Sequence, residues 1–328
     1  MHILILGAAG MIGRKLADRL AADGALNGNT IETMTLADIV LPPSPANHGG
    51  ELVTRVGDLS SPGDAARLVE SRPDVIFHLA AVVSGEAEAD FDKGYRVNLD
   101  GSRALFEAIR LQAAKQSYFP RLVFCSSLAV FGPPFASPIG DEFLTAPLTS
   151  YGTQKAITEL LLADYSRRGI FDGIGIRLPT ICIRPGRPNA AASGFFSNIL
   201  REPLAGREAV LPVDESVRHW FASPRAAVQF LVHGAGIDLS GLGARRNLIM
   251  PGLSATVADQ IAALEQVAGT GASRLIRREP DERIARIVGG WAFDYAPDLA
   301  LSLGFRAEST FREIIAAYIE DELGGELP

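Results

Sequence analysis

MHILILGAAGMIGRKLADRL, residues Met1 to Leu20, is the stretch that decides the fold. His2 to Leu6 is an apolar run of strand length, and Gly7, Gly10 and Gly13 follow at once, in the turn into a helical pattern. A strand that ends in a glycine-rich turn and feeds a helix N-terminus presents free backbone N–H groups and the positive end of the helix dipole to an anion, usually a pyrophosphate. Gly7 permits the tight turn, Gly10 lets a phosphate approach the backbone, and Gly13 lets the helix pack close to the sheet. Met11 and Ile12 open the helix and belong to the same cradle. The spacing is G-x-x-G-x-x-G rather than G-x-G-x-x-G, so the rest of the chain must decide between this reading and an ordinary turn with one close packing contact.

A second strand-like run, Ile31 to Ala37, ends at Asp38. That is about 25 residues past Gly13, near the ~20 expected for the acid that accepts both adenosine ribose hydroxyls. A carboxylate there repels a 2′-phosphate, so NAD is expected rather than NADP; a solvated loop aspartate is the alternative. The third strand, Leu52 to Arg55, leads into Gly57-Asp58-Leu59, where Asp58 is placed to meet an adenine amino group and Leu59 follows it against the cofactor. Pro62 to Ser71 reads as a short helix, and Asp74 to Leu79 as a central parallel strand, apolar almost throughout. Helix and strand alternate from Met1 onward, which is the doubly wound α/β signature.

Ala80 and Ala81 leave the carboxyl end of the fourth strand with side chains small enough for a cofactor to lie against the backbone. Ser84 follows in the same loop and either faces substrate or is simply solvated. Phe91 to Lys115 carries the longest helical pattern, and Asn98 breaks its apolar face, either to satisfy a neighbouring loop backbone or as an idle surface residue. The fifth strand, Leu122 to Cys125, empties into Ser126-Ser127. A proline-rich loop from Phe131 to Thr149 then leads to a helix with Ser150 as its expected cap, on which Tyr151 and Lys155 fall i, i+4 on one face.

With six tyrosines and four lysines in 328 residues, Tyr-x-x-x-Lys would arise by chance about 0.07 times. The chemistry explains the trio with Ser127. A free tyrosine titrates near ~10, and a lysine ammonium beside an oxidised nicotinamide favours phenolate. Tyr151 can then remove a hydroxyl proton while hydride leaves the same carbon, and Ser127 can hold the developing carbonyl oxygen.

These residues resemble the extended short-chain dehydrogenase/reductase family, which includes nucleotide-sugar epimerases and dehydratases. The resemblance covers roughly the first 180 residues: the glycine turn, Asp38, Gly57-Asp58-Leu59, His78-Leu79-Ala80-Ala81, Asn98, the run Ser126 to Gly132, and Tyr151-x-x-x-Lys155. It implies a Rossmann-type doubly wound parallel sheet at 1–178 and a smaller substrate-binding region at 179–328, with about 216–240 returning to the main sheet. It further implies that Ser127, Tyr151 and Lys155 are catalytic. Leu79, Ala80, Ala81, Asn98, Cys125, Leu178 and Pro179 are then expected to touch NAD alongside Tyr151 and Lys155. A homodimer through the helices at 91–115 and 150–168 is implied as well. Phe131 stands where the family usually has tyrosine.

Past the sixth strand, Gly173 to Leu178, the pattern departs from nucleotide-sugar enzymes. Their Asn-Val-Tyr-Gly-Pro segment is absent, and Arg218-His219-Trp220-Phe221 replaces their Arg-Asp-Phe. The run from Arg177 to Ile181 and Ser193-x-Phe195-Phe196 instead looks like family members that oxidise a small sugar acid. Ser84, Asn189, Ser193, Arg184 and Arg218, with Ser127 and Tyr151, are the expected substrate contacts, since a small acid must be held largely through its carboxylate. The alternatives are an epimerase or dehydratase that recycles NAD, and an NAD-sensing regulatory protein without chemistry.

Composition narrows the partners. A formal charge of −7 with no basic tract argues against nucleic acid. Cys125 and Cys182 lie in apolar runs and read as free thiols, and the five histidines have no metal-ligand spacing. No stretch approaches ~20 continuous apolar residues, so the expected location is cytoplasmic, away from membranes.

Overall fold

The computed structural model describes the chain except residues 47, 136, 187–191 and 328. Its first strand is His2–Leu6, with Ile3, Leu4, Ile5 and Leu6 all buried. Continuous burial, rather than alternation, is what a parallel strand covered on both faces requires. The strand pairs in parallel with Thr33–Asp38 on one side and Val75–His78 on the other. The full sheet has seven strands in the order Asn247–Ile249, Asp172–Leu178, Arg121–Ser127, Val75–His78, His2–Leu6, Thr33–Asp38, Glu51–Val56, every pairing parallel. Strand order therefore reverses beside His2–Leu6, and such a switch point is where open α/β sheets bind ligands, outside the carboxyl ends of the strands. This is the Rossmann-type sheet expected from the sequence.

The chain divides into two compact units. The first comprises Met1–Val130, Thr145–Leu178 and Val228–Ile249. Its core sets Leu4, Leu6, Ile76, Leu122 and Phe124 of the sheet against Leu105, Phe106 and Ile109 of the helix Gly101–Lys115 and Leu162 of the helix Ser150–Arg167. Each fully buried side chain of this size stabilises the fold by about 1.5–3 kcal/mol relative to exposure. The second unit comprises Phe131–Leu144, Pro179–Ala227 and Met250–Pro328. Its core is Phe195, Phe196, Ile199 and Leu200 of the helix Gly194–Leu204, packed with Phe221, Ile261, Leu264, Ile314 and Ile315. A three-stranded sheet there orders Thr180–Ile181, Arg218–Ala222 and Leu253–Thr256.

Three local expectations change. The helix expected over Phe91–Lys115 is divided into a short turn Phe91–Gly94, a π-helical stretch Tyr95–Asp100 and the α-helix Gly101–Lys115. The cap of the next helix is Thr149, not Ser150: its hydroxyl oxygen accepts the Gly152 N–H at 3.0 Å. Asn247–Ile249 is the edge strand of the main sheet rather than part of the smaller region. The segment returning to the sheet therefore runs over Val228–Ile249 rather than 216–240. It is held by Arg121, which donates to the carbonyls of Gly234 (3.1 Å) and Ile237 (3.0 Å), and by Asp172, which pairs with Arg121 and Arg246 at 2.9 and 2.8 Å. Among the described residues no helix is long and apolar enough to cross a membrane.

Candidate active site

The glycine turn has the geometry its spacing predicts. Gly7 has φ +87°, and a Cβ on it would lie 2.6 Å from the Ala80 backbone nitrogen. A Cβ on Gly13 would lie 2.2 Å from the Gly7 carbonyl oxygen. Helix and turn therefore touch backbone to backbone, which a side chain at either position would prevent. Gly10 precedes the helix Met11–Asp23, whose first turn carries no side-chain cap and no acidic residue to compete with an anion for its N–H groups.

Beside this turn lies a cleft of about 440 Å³ within the first unit. It is lined by Gly7, Gly10, Asp38, Asp58, Leu59, Leu79, Ala80 and Ala81, all anticipated, and by Glu86, Lys93 and Arg96, which sequence reasoning did not single out. One Asp38 carboxylate oxygen accepts the Ala9 N–H at 2.9 Å and the other the Ile39 N–H at 2.7 Å. The two bonds fix its direction at the end of the strand, and a carboxylate retains acceptor capacity for a ribose diol. Asp58 turns one oxygen to the N–H and hydroxyl of Ser60, at 2.9 and 2.7 Å. A cradle that excludes Cβ atoms, an uncapped helix start and a fixed carboxylate on one mainly apolar cleft fit a dinucleotide.

Asn98 is buried, 2% exposed. Its amide accepts the Val82 N–H at 2.8 Å and donates to the Val82 carbonyl at 3.1 Å and to Gln154 Oε1 at 2.8 Å. The residue therefore satisfies a loop backbone, one of the two readings open from sequence. Its polar atoms are engaged within the protein rather than aimed at the cleft. The wide turn at Tyr95–Asp100 places it there.

Ser127 ends the strand Arg121–Ser127 next to Leu178, and its oxygen accepts the Ala129 N–H at 3.1 Å. Facing it is the helix Ser150–Arg167, which starts hard against residue 129: a Cβ on Gly152 would lie 2.1 Å from the Ala129 carbonyl oxygen. Gly152 was missed, because nothing local marks a glycine inside a helix as a contact. Lys155 is 3% exposed and donates to the Cys125 carbonyl at 2.8 Å. Its ammonium lies 4.7 Å from the Phe124 ring centroid and 5.7 Å from that of Tyr151. Burial lowers the Lys155 pKa from its ordinary value, opposed by Cys125 and Glu159. Leu178 is buried at the end of its strand; Pro179 follows it and falls in the second unit. Ser84 opens the short helix Ser84–Ala89 and is half-buried.

In the second unit Arg184 donates to the Ile181 carbonyl and to the Ser193 hydroxyl, both at 2.9 Å. His219 and Thr180 share a 2.7 Å hydrogen bond, and the imidazole stacks on Phe196 with ring centroids 5.4 Å apart. Arg218 does not join them. It is exposed, donating to the Ser254 carbonyl at 3.2 Å and lying 4.0 Å from Asp259. Adjacent residues of a strand face opposite ways, and of the two it is His219 that is buried. Asn189 lies outside the described residues.

Each unit also carries a buried neutral histidine. His78, bonded to the Ser102 hydroxyl at 2.8 Å, and His219 are both pushed down to about 3, chiefly by burial. The unfolded chain takes up these protons near the ordinary value of ~6.5 and the folded chain only near 3. Their contribution is therefore complete above pH ~6.5 and falls by about 1.4 kcal/mol per pH unit per histidine as pH drops toward 3. Melting temperature should decline between pH 6.5 and 5, above the range where most carboxylates titrate. His78→Gln and His219→Gln should each flatten that decline, and an unchanged slope in both refutes the assignment.

A dinucleotide cleft at a sheet switch point, next to a strand ending in serine and a helix carrying Tyr-x-x-x-Lys, defines a nicotinamide-dependent oxidoreductase of the Rossmann class. Residues 3–223 match the model of the NAD dependent epimerase/dehydratase family, and the chain belongs to that family. It is an NAD-dependent enzyme. The chain is similar to the D-erythronate dehydrogenase of Cupriavidus necator, 47% identical over 98% of both chains. It is similar also to that of Haemophilus influenzae, 40% identical over 98% of this chain and 100% of the relative. Among solved structures it matches one described as a nucleoside-diphosphate-sugar epimerase from Agrobacterium tumefaciens, with TM-score 0.98 and 67% identity over 100% of this chain and 96% of the other.

Proposed function

We propose that this enzyme oxidises a secondary hydroxyl of a small sugar acid, with D-erythronate going to its 2-oxo acid. The observation that carries the reading is the placement of Lys155, held on the Cys125 carbonyl next to the Tyr151 ring, in a chain whose full-length relatives are D-erythronate dehydrogenases. Tyr151, as a phenolate stabilised by Lys155, takes the hydroxyl proton and becomes the phenol, and Ser127 donates a hydrogen bond to the oxygen that becomes the carbonyl. NAD, when bound, supplies the acceptor for the hydride that leaves the same carbon. Gly7, Gly10, Met11 and Ile12 would hold its pyrophosphate, Asp38 its adenosine ribose, and Asp58 and Leu59 its adenine.

A panel of four- to six-carbon aldonic acids tests the proposal. D-Erythronate should reduce NAD efficiently, and its amide or lactone should be poor. A second reading, suggested by the name of the Agrobacterium tumefaciens structure, is epimerisation of a nucleotide-linked sugar with NAD recycled. Interconversion of nucleotide sugars without net NADH, and no turnover of any acid, would replace the first reading with the second.

The cofactor preference has its own test. Asp38→Asn removes the charge while keeping an acceptor for the Ala9 N–H, and Asp38→Ala removes both. Both should lower the ratio of NAD to NADP efficiency by about tenfold or more, equivalent to at least ~1.4 kcal/mol. An unchanged ratio would mean that Asp38 does not face the ribose.

A further inference from the structure

The most deeply buried ion pair of the first unit has no part in the chemistry above. Glu159, 2% exposed, accepts from Arg177 Nε at 2.9 Å and Nη2 at 2.8 Å, and from the Ser126 hydroxyl at 2.6 Å. Its backbone carbonyl also accepts from Asn247 Nδ2 at 3.3 Å. One helical residue thus reaches three neighbouring strands of the sheet. Stability is a poor reason for such a group, since the cost of dehydrating two charges largely cancels their attraction and an apolar pair of similar size would serve as well.

Its position supplies a better reason. Glu159 stands one turn beyond Lys155 and two beyond Tyr151 on the same helix. Lys155 grips the carbonyl of Cys125 and Glu159 grips the hydroxyl of Ser126, so consecutive residues of the strand are held by consecutive turns of the helix, and the next residue of the strand is Ser127. A helix that slid or rotated by one residue would break both grips. The groups facing Lys155 are Cys125 and Phe124 from one strand, His78 from another, and Tyr151 and Glu159 from its own helix. Glu159 is the carboxylate among them, and Arg177 lies behind it.

We propose that Glu159, anchored by Arg177 and bonded to Ser126, is the positioning residue that sets the height of the Tyr151–Lys155 helix against Ser127 and supplies the carboxylate next to Lys155. This rests on the reading of Ser127, Tyr151 and Lys155 as the catalytic trio. Arg177 serves to direct the carboxylate, and Ser126 carries its position to the serine that follows.

Three sets of variants of the full chain test it. Ser126→Ala cuts the link to the strand without altering any charge. It should lower kcat about three- to tenfold with KM and NAD affinity within about twofold, and Ser126→Thr, which keeps the hydroxyl, should restore kcat. The double change Glu159→Met with Arg177→Met should fold with a melting temperature close to that of the parent, yet lose at least about tenfold in kcat. Glu159→Gln should lower the pH at which Lys155 becomes reactive to acetic anhydride in protein without NAD, because the carboxylate that favours the ammonium is gone. Parental kcat in Ser126→Ala and in a folded double variant, or an unmoved Lys155 labelling profile, would overturn the proposal. If the double variant fails to fold, the Ser126 pair and the labelling profile decide. Tyr151→Phe assayed in parallel separates the two levels: a fully active Tyr151→Phe removes the catalytic reading itself, whereas an inactive one beside unaffected Ser126 and Glu159 variants removes only this inference.

Discussion

Tyr151→Phe should fold, melt like the parent and bind NAD with similar affinity, while turnover falls by a factor of about 10² or more. The substitution deletes one oxygen from a half-buried ring and leaves the ring next to the Lys155 ammonium, so neither the helix nor the nearby hydrogen bond from Lys155 to Cys125 loses support. What disappears is the acceptor for the substrate's hydroxyl proton. Because that interaction matters in the transition state and little in the ground state, kcat and kcat/KM should drop together. Steady-state kinetics on the best acid of the panel, with NAD titration as the binding control, measures this; near-parental turnover would contradict the role given to Tyr151.

The second large effect is expected at a residue that touches no reacting atom. In Gly152→Ala the new methyl would stand 2.1 Å from the Ala129 carbonyl oxygen and 2.9 Å from Pro147 Cβ. The first of these is backbone, which no side-chain rotation relieves, so the start of the helix must move away from residue 129. Tyr151 and Lys155 move with it. A displacement of about 1 Å at the chemistry is enough for a loss of roughly 10² in turnover, and forced overpacking of this kind destabilises by about 1–3 kcal/mol. Thr149→Ala is the control. It removes only the cap on the Gly152 N–H, should cost about 1 kcal/mol of stability, and should leave turnover within a few-fold of the parent. Equal losses in the two variants would mean that the fit at residue 152 has no special weight.

Much of the proposed site could be read from the sequence because its chemistry is local. The glycine turn is a contiguous stretch whose residue types are dictated by backbone geometry, and Gly7 and Gly13 stand where a Cβ cannot be placed. Asp38 was legible because a strand-like run stops at a carboxylate. Tyr151 and Lys155 were legible because a helix brings i and i+4 to one face. Arg218 was harder to read: a strand sends neighbours to opposite faces, and of Arg218 and His219 it is His219 that is buried. The single helix expected over Phe91–Lys115 failed for a different reason. The wide turn at Tyr95–Asp100 exists to bring Asn98 to Val82 and Gln154, partners 16 and 56 residues away, and no helical pattern encodes them.

The sequence by itself determined the class of fold, the nucleotide cradle and the identity of the three residues proposed to react, since each follows from spacing along one turn, one strand end or one helix. Only the tertiary structure decided that Asn247–Ile249 completes the main sheet, that Gly152 must be bare for the helix to approach Ala129, and that Glu159 joins Arg177 and Ser126 behind Lys155. A glutamate eight positions past a tyrosine reads as one more charge on a helix. It becomes a buried clamp only because the sheet places Ser126 and Arg177, 33 and 18 residues away in the chain, within hydrogen-bond reach of one carboxylate, and such pairings depend on which elements pack together rather than on any local preference of the residues that make them.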